Sequence, residues 1–142
     1  MHRGCGVLWV SFARSSAAKS TLIVAIAAAL VSLAVEAFAH AEIESCKPPI
    51  DATMESLPDA VVCTTSESMD AKQSSLRVYD SAGARVDKGD SRVDPKDRDR
   101  RTISVSLDAS KMRDGVYTVK WKTLSADDGD EAHGEFKLTV RR

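Results

Sequence analysis

The stretch DGVYTVKWKTL (residues 114–124) decides the fold. After its Asp-Gly turn, Tyr117, Val119 and Trp121 fall on one face of an extended chain, while threonine and lysine side chains fall on the other. Such strict alternation of apolar and polar residues is typical of a half-buried β-strand. We therefore predict a strand over Val116–Leu124. Its aromatic rings are expected in the core rather than against a cofactor, because aromatics on an inward strand face normally pack.

Shorter runs with the same alternation, separated by turn residues, occur through the rest of the chain after residue 39. They predict further strands at Ala41–Ser45, Val61–Thr65, Ser75–Tyr79, Arg85–Asp87 and Thr102–Leu107, and a last strand that carries Phe136, Leu138 and Val140. The polar segment Lys88–Arg101 is predicted to be a solvated loop, and Met69–Ser74 is expected to form at most one helical turn. Seven strands in about one hundred residues predict an all-β, immunoglobulin-like Greek-key sandwich.

Residues 1–39 have the features of a cleavable signal peptide. Three basic residues precede the apolar run Thr21–Val35, which at 15 residues is shorter than the roughly 20 that a membrane span needs. Cleavage after Ala37-Phe38-Ala39 would make His40 the first residue. Ala39-His40-Ala41 satisfies the same rule, and cleavage there would make Glu42 the first. An uncleaved membrane anchor is the other alternative.

The mature chain is mildly acidic. Removal of 39 of the 142 residues leaves 103, which we expect to form one domain, 40–142. Arg3, Arg14, Lys19 and Glu36 leave with the signal, so 17 basic and 20 acidic residues remain and the net charge is −3. This charge argues against nucleic acid or an anionic membrane as the main partner. We expect no membrane insertion after cleavage.

Two cysteines, Cys46 and Cys63, remain once Cys5 has left with the signal. An even number of cysteines in an exported protein favours a disulfide. Closing the loop between them would stabilise the fold by about 3 kcal/mol in the chain-entropy model. The alternatives are two buried free thiols, or two thiolates that hold a soft metal such as Cu(I).

His40 would offer two nitrogen donors as the first residue of the mature chain, namely its α-amine and its imidazole. An amine, imidazoles and a carboxylate are donors that suit tetragonal Cu(II). The second histidine, His133, lies in the acidic segment SADDGDEAHGEF (Ser125–Phe136). If the first and last strands run side by side in parallel, both histidines lie at one end of the sandwich. Alternatively, His40 is an ordinary polar terminus, His133 is a turn residue and the acidic run is a solvated loop.

Five segments, in their order and spacing, resemble the periplasmic copper-resistance protein C (CopC) family. They are HAEIESCKPP, PDAVVCTTSESM, LRVYDSAGARVD, GVYTVKWKTLSADDGD and GEFKLTV, and together they span most of His40–Val140. The resemblance implies a cupredoxin-like or immunoglobulin-like sandwich. It also implies a Cu(II) site built from an N-terminal histidine and an Asp-x-His motif in the last connection.

Carried onto this chain, the resemblance implies copper ligands at His40 and Asp128. The histidine of the family motif falls on Asp130, which is a departure from the pattern, and His133 three residues later is the candidate replacement. Fewer imidazoles would hold Cu(II) more weakly and admit other divalent metals. A methionine-rich Cu(I) cluster, present in some members, is not implied, because Met54, Met69 and Met112 are widely spaced.

Three functions compete. The resemblance favours a non-enzymatic periplasmic protein that sequesters Cu(II) or delivers it to an inner-membrane copper transport protein. A sandwich that has lost metal affinity and serves as a structural or protein-binding module is the second. A copper oxygenase with a histidine brace is the third, although the chain is small and has few aromatic residues. No Ser/His/Asp triad or Gly-rich phosphate loop supports another chemistry.

Overall fold

The computed structural model describes residues 40–142, which form two four-stranded sheets. The strands are β1 (Ile43–Lys47), β2 (Thr53–Met54), β3 (Ala60–Thr65), β4 (Ser75–Tyr79), β5 (Arg92–Val93), β6 (Thr102–Ser106), β7 (Gly115–Leu124) and β8 (Glu131–Val140). The predicted signal peptide, residues 1–39, lies outside the described residues. Within the described range, no helix has the length and apolar character needed to span a membrane.

The strand order is β1-β3-β6-β5 in one sheet and β2-β8-β7-β4 in the other. This is the strand order of an immunoglobulin-type Greek-key sandwich, so the predicted all-β fold class is confirmed. The strand that decided the prediction, β7, lies between β8 and β4 and is antiparallel to both. It forms the long β7–β8 hairpin whose connecting loop carries the acidic residues.

Eight strands form where the sequence predicted seven. Arg85–Asp87 was predicted as a strand, but the segment makes only isolated bridges, from Arg85 to Tyr79 and from Asp87 to Leu107. The segment Lys88–Arg101 was predicted as a wholly solvated loop, but it contains β5, which buries Val93 against the core. Two-residue strands are too short to show any periodicity, and for this reason β2 and β5 were missed.

The first strand does not lie beside the last, which corrects the predicted arrangement. β1 pairs with β3 in the opposite sheet, and only β2 pairs in parallel with the end of β8, at Thr139 and Val140. Pro48 and Pro49 lie between β1 and β2, and neither can donate a ladder hydrogen bond, so β1 ends there and the chain continues in the other sheet. The segment before β1 still contacts the loop end of the β7–β8 hairpin, because the Thr123 hydroxyl donates to the Ala41 carbonyl.

The core lies between the inner faces of the two sheets, as the alternation in β6, β7 and β8 predicted. Tyr117 is 3% exposed, and its hydroxyl donates to the Arg113 carbonyl and accepts from the Arg113 amide, both at 2.7 Å. This is the tyrosine corner typical of such sandwiches. Trp121 packs against the core from a half-buried position above Gly134, where an added Cβ would lie 2.7 Å from the ring. Both aromatics therefore serve packing, as predicted.

Cys46 and Cys63 are cross-strand neighbours on β1 and β3 and form a disulfide with an S–S distance of 2.04 Å. Both residues belong to the buried core. Because both sulfurs are used in this bond, the alternative of two thiolates that hold a soft metal does not apply to this structure.

Candidate metal centre

The segment that would become the mature N-terminus is held against the sandwich by its backbone. Ala41 is fully buried, and its carbonyl accepts the hydroxyl proton of Thr123, whose oxygen lies 3.4 Å from the Ala132 carbonyl. The His40 carbonyl accepts a hydrogen bond of 2.9 Å from the Ser66 hydroxyl. His40 is therefore fixed at the end of the sandwich where β7 ends and β8 begins.

The acidic connection between β7 and β8 is a compact turn. Ser125 is buried, its amide donates to the Asp130 carbonyl at 2.8 Å, and its carbonyl accepts from the Gly129 amide at 3.1 Å. Gly129 has a φ of 78°, a left-handed conformation that favours glycine. The glycine in ADDGDE thus lets the chain reverse and leaves the carboxylates of Asp128 and Asp130 at the exposed tip.

Asp128 lies within electrostatic reach of His40. Its Oδ1 accepts the Asp130 amide at 3.0 Å. This hydrogen bond and a second one with the Ser125 side chain hold the pKa of Asp128 below its ordinary value, and an electrostatic interaction with His40 acts in the same direction to a smaller extent. The carboxylate is thus ionised at neutral pH, as a metal ligand must be.

Asp130 and His133 occupy different positions relative to this pair. Asp130 follows Gly129 at the exposed tip, two residues from Asp128. His133 lies within β8 on the exposed outer face of the sheet, with Lys122 as its cross-strand neighbour. Side chains alternate along a strand, and it is the preceding residue, Ala132, that faces inward beside Thr123. The strand therefore directs His133 away from the side on which Ala41 contacts the hairpin.

Residues 40–142 contain no group of three or more His, Cys, Asp and Glu side chains placed to hold a metal ion. The candidate donors at this end of the sandwich are the His40 imidazole and the Asp128 carboxylate. Cleavage after Ala39 would add the α-amine, which is a peptide nitrogen in the full chain. An amine, an imidazole and a carboxylate are nitrogen and oxygen donors of the kind that Cu(II) prefers. These three donors leave further coordination positions open.

The methionines do not form a second copper site among the described residues. Met69 and Met112 are buried in the hydrophobic core, and Met54 packs against it. Their thioethers therefore fill space in and around the core between the sheets.

Three polar residues that position the site were not predicted from the sequence. The hydroxyl groups of Ser66, Ser68 and Thr123 hold the N-terminal segment and the acidic connection. Serine and threonine are common on strands and in turns, and nothing in their spacing distinguishes them. Only the topology, which places the end of β3 between the two segments, identifies them.

Comparison with known proteins agrees with this description. Residues 43–141 match the CopC domain family. The solved structure of CopC from Methylosinus trichosporium OB3b is 23% identical, with a TM-score of 0.59 over 71% of this chain and 93% of that chain. PcoC, a methionine-rich copper resistance protein from Escherichia coli, is 20% identical, with a TM-score of 0.57 over 72% and 99% of the two chains.

At these identities the two structures show a shared fold, and the family match shows the relationship. No curated protein matches the chain. The family consists of non-enzymatic copper-binding proteins that are typically periplasmic, in agreement with the function predicted from the resemblance rather than with an oxygenase. The family match spans well over half of the sequence and the sandwich has the same fold, so this chain belongs to the CopC domain family of copper resistance proteins.

Proposed function

We propose that the mature protein is periplasmic, begins at His40 and carries Cu(II) as its cargo. The α-amine and imidazole of His40 close one chelate ring, and the Asp128 carboxylate supplies a third donor. Asp130 is the candidate for further coordination, whereas the outward direction of His133 on β8 argues against that residue as a ligand. The observation that supports this proposal most directly is that hydrogen bonds attach the His40 segment and the connection that carries Asp128 to the same end of the sandwich, although the two residues are 88 positions apart in the sequence.

Mass spectrometry of the exported protein, followed by copper titration of the same material, tests the proposal. A chain that begins at His40 and binds Cu(II) with micromolar or tighter affinity supports it. A chain that begins at Glu42, or a His40-led chain that does not bind copper, refutes it. Binding should weaken on acidification, because the amine and the imidazole take up protons in competition with the metal.

Delivery of the bound copper to an inner-membrane copper transport protein is the second part of the proposal. The His40 site lies at one end of the sandwich, where the donors are held by turns and by the chain terminus rather than enclosed in the core. A cargo metal at such a position is open to attack by the ligands of another protein. Transfer of copper from the loaded protein to the soluble domain of the transporter, monitored by EPR, tests this delivery directly.

A sandwich without metal affinity is the competing function. The observation in its favour is the replacement of the motif histidine by Asp130, together with the absence of a preformed three-ligand group from residues 40–142. The same copper titration separates the two functions, since this alternative requires that the authentic mature chain binds no copper.

Restoring the family motif should strengthen the site. Asp130→His adds an imidazole two residues from Asp128, and we expect Cu(II) affinity to rise about tenfold or more, since about 1.4 kcal/mol from one better donor is a tenfold change in Kd. Nitrogen hyperfine structure in the Cu(II) EPR spectrum should show the added imidazole. Glu131→His is the matched control, because Glu131 lies one residue further on, where it pairs with Lys122 at 2.7 Å on the exposed face. An equal gain from the control would contradict the proposed geometry.

His133→Ala should leave the Cu(II) EPR spectrum unchanged and the affinity within about twofold of the parent, as expected for an exposed substitution away from the ligands. The reason is the outward direction of His133 on β8, beside Lys122 and opposite in sense to Ala132. A clear loss of nitrogen hyperfine structure would instead make His133 a ligand and require the start of β8 to turn inward when copper binds.

A further inference from the structure

The three residues that follow β3, Ser66–Ser68, contact both halves of the proposed site. One end of this segment binds the backbone of His40 and Glu42, and the other end binds the acidic connection. We propose that Ser66 is a positioning residue for copper, which fixes the orientation of His40, and that Ser68 holds the turn that carries Asp128. This inference rests on the proposed function.

Ser66 makes three hydrogen bonds with the N-terminal segment. Its hydroxyl donates to the His40 carbonyl at 2.9 Å and accepts the Glu42 amide at 3.1 Å. Its own amide donates to the Glu42 carbonyl at 2.9 Å. The Glu42 amide also donates to the His40 carbonyl at 2.7 Å, so the chain makes a tight turn at Ala41. Ser66 binds the residues on both sides of this turn. The orientation of the His40 carbonyl is thus set by side-chain and backbone groups together.

Ser68 makes the corresponding contacts with the connection between β7 and β8. Its carbonyl accepts the Ala126 amide at 2.9 Å, and its hydroxyl donates to Oδ2 of Asp127 at 3.2 Å. The next residue, Met69, forms a bridge with Ser125. The start of the turn that carries Asp128 is therefore attached to the same short segment as His40.

The segment itself is attached to the body of the sandwich. Thr65 is fully buried, and its amide donates to the Arg101 carbonyl at 2.8 Å. Met69 is also fully buried, and its amide donates to the Arg100 carbonyl at 2.9 Å. Residues 66–68 therefore connect two fixed residues, Thr65 and Met69. Because the segment is held at both ends, it can set the distance between His40 and Asp128.

The chemical consequence concerns the chelate ring. The Cα of His40 lies in the plane of the peptide group that joins it to Ala41, so a hydrogen bond that fixes the His40 carbonyl also fixes the position of the Cα from which both the amine and the imidazole extend. Loss of the Ser66 hydroxyl would loosen this peptide plane, and the distance from the two His40 donors to Asp128 would vary more. Outer-shell groups of this kind typically contribute about 10–100-fold to metal affinity.

The test compares Ser66→Ala and Ser66→Thr in mature protein that begins at His40. We expect Ser66→Ala to weaken Cu(II) binding about tenfold, the lower end of the range for outer-shell changes, and to alter the g∥ and A∥ values of the EPR spectrum. Ser66→Thr, which keeps the hydroxyl, should retain both. Ser68→Ala should lower affinity as well, and the double variant should lose more than either single one.

Ser91→Ala is the matched control for stability. The Ser91 hydroxyl accepts the Leu76 amide at 2.7 Å on the edge strand β4, which is separated from β8 by β7. The control should lower the melting temperature about as much as Ser66→Ala and leave the EPR spectrum unchanged. An unchanged spectrum and affinity in Ser66→Ala, with wild-type protein that binds copper, overturns this inference alone. Failure of the wild-type protein to bind copper overturns the proposed function and this inference with it.

Discussion

One additional residue before His40 should abolish the native Cu(II) EPR spectrum and weaken copper binding by about 100-fold or more, because it removes a direct ligand whereas outer-shell changes alone cost 10–100-fold. The extra residue converts the α-amine of His40 into a peptide nitrogen. The imidazole remains, but the five atoms that closed a ring with the metal no longer include a free amine. The new terminal amine lies one residue further from Asp128.

The fold should not change in this variant, because the hydrogen bonds that the carbonyls of His40 and Ala41 accept are kept. Equal melting temperatures for the apo forms of the extended and authentic chains are the control. A second control carries the same extra residue at the C-terminus, after Arg142, and should bind copper normally. Retention of the native spectrum by the N-terminally extended chain would show that copper is bound elsewhere.

The strands that could be predicted from the sequence are the long amphipathic ones. Thr102–Ser106 and Gly115–Leu124 each have a continuous alternation of inward and outward residues, and the structure contains both within one or two residues of the predicted bounds. Alternation works there because each strand has one face on the core and one in solvent. β5 has a single buried residue, Val93, within a polar segment. A single buried residue cannot show an alternation, so nothing in the sequence indicated this strand.

The site was predictable to a different degree at each residue. His40 and Asp128 followed from the resemblance of whole segments, and the structure attaches these two segments at the same end of the sandwich. The position of His133 depended on the bounds of β8, which begins at Glu131, two residues before the histidine. Placing the histidine inside the strand rather than in the connection fixes its direction outward, and no local pattern in the acidic segment showed where the strand would start.

A second substitution with a large expected effect lies far from the site and was not predicted from the sequence. Asp87 is buried, and its carboxylate accepts hydrogen bonds from the Val78 amide at 2.8 Å and the Gly89 amide at 2.9 Å. Arg85 binds the same carboxylate, with 2.7 Å between its terminal nitrogen and Oδ1. Charged residues are rarely buried unless they are paired, so sequence patterns alone would place Asp87 in solvent.

The location of Asp87 explains its importance for stability. Val78 belongs to the edge strand β4, whereas Asp87 itself bridges to Leu107 next to β6 in the other sheet. The Asp87 carboxylate therefore accepts a hydrogen bond from the edge of one sheet, while the Asp87 backbone pairs with the other sheet. Asp87→Ala would leave the buried Val78 amide without its acceptor. We expect a loss of about 3 kcal/mol in the free energy of unfolding, measured by urea denaturation at pH 7.

Asp80→Ala is the matched control for this loss. Its Oδ1 also accepts two backbone amides, from Ala82 and Ala84, at 2.9 and 2.8 Å. Both bonds lie in a solvent-accessible turn, where water can replace the carboxylate, so we expect a loss of less than about 1 kcal/mol. Similar losses in the two variants would mean that burial of the Asp87 carboxylate does not matter.

The effect of Asp87→Ala should also depend on pH. Burial alone would raise the pKa of Asp87, but hydrogen bonds from Arg85, Val78 and Gly89 outweigh it and hold the pKa below its ordinary value. A lowered pKa in the folded state contributes stability that is fully present above the ordinary carboxyl pKa of about 3.9. This contribution is lost as the pH falls through the lower, folded-state pKa.

The difference in unfolding free energy between wild type and Asp87→Ala should therefore be constant from pH 7 to about 5 and shrink in more acidic solution. Other carboxylates with lowered pKa values, such as Asp97 and Asp114, are present in both proteins and cancel in this difference. A difference that stays constant down to pH 2 would show that the Asp87 charge contributes nothing to the stability that its hydrogen bonds provide.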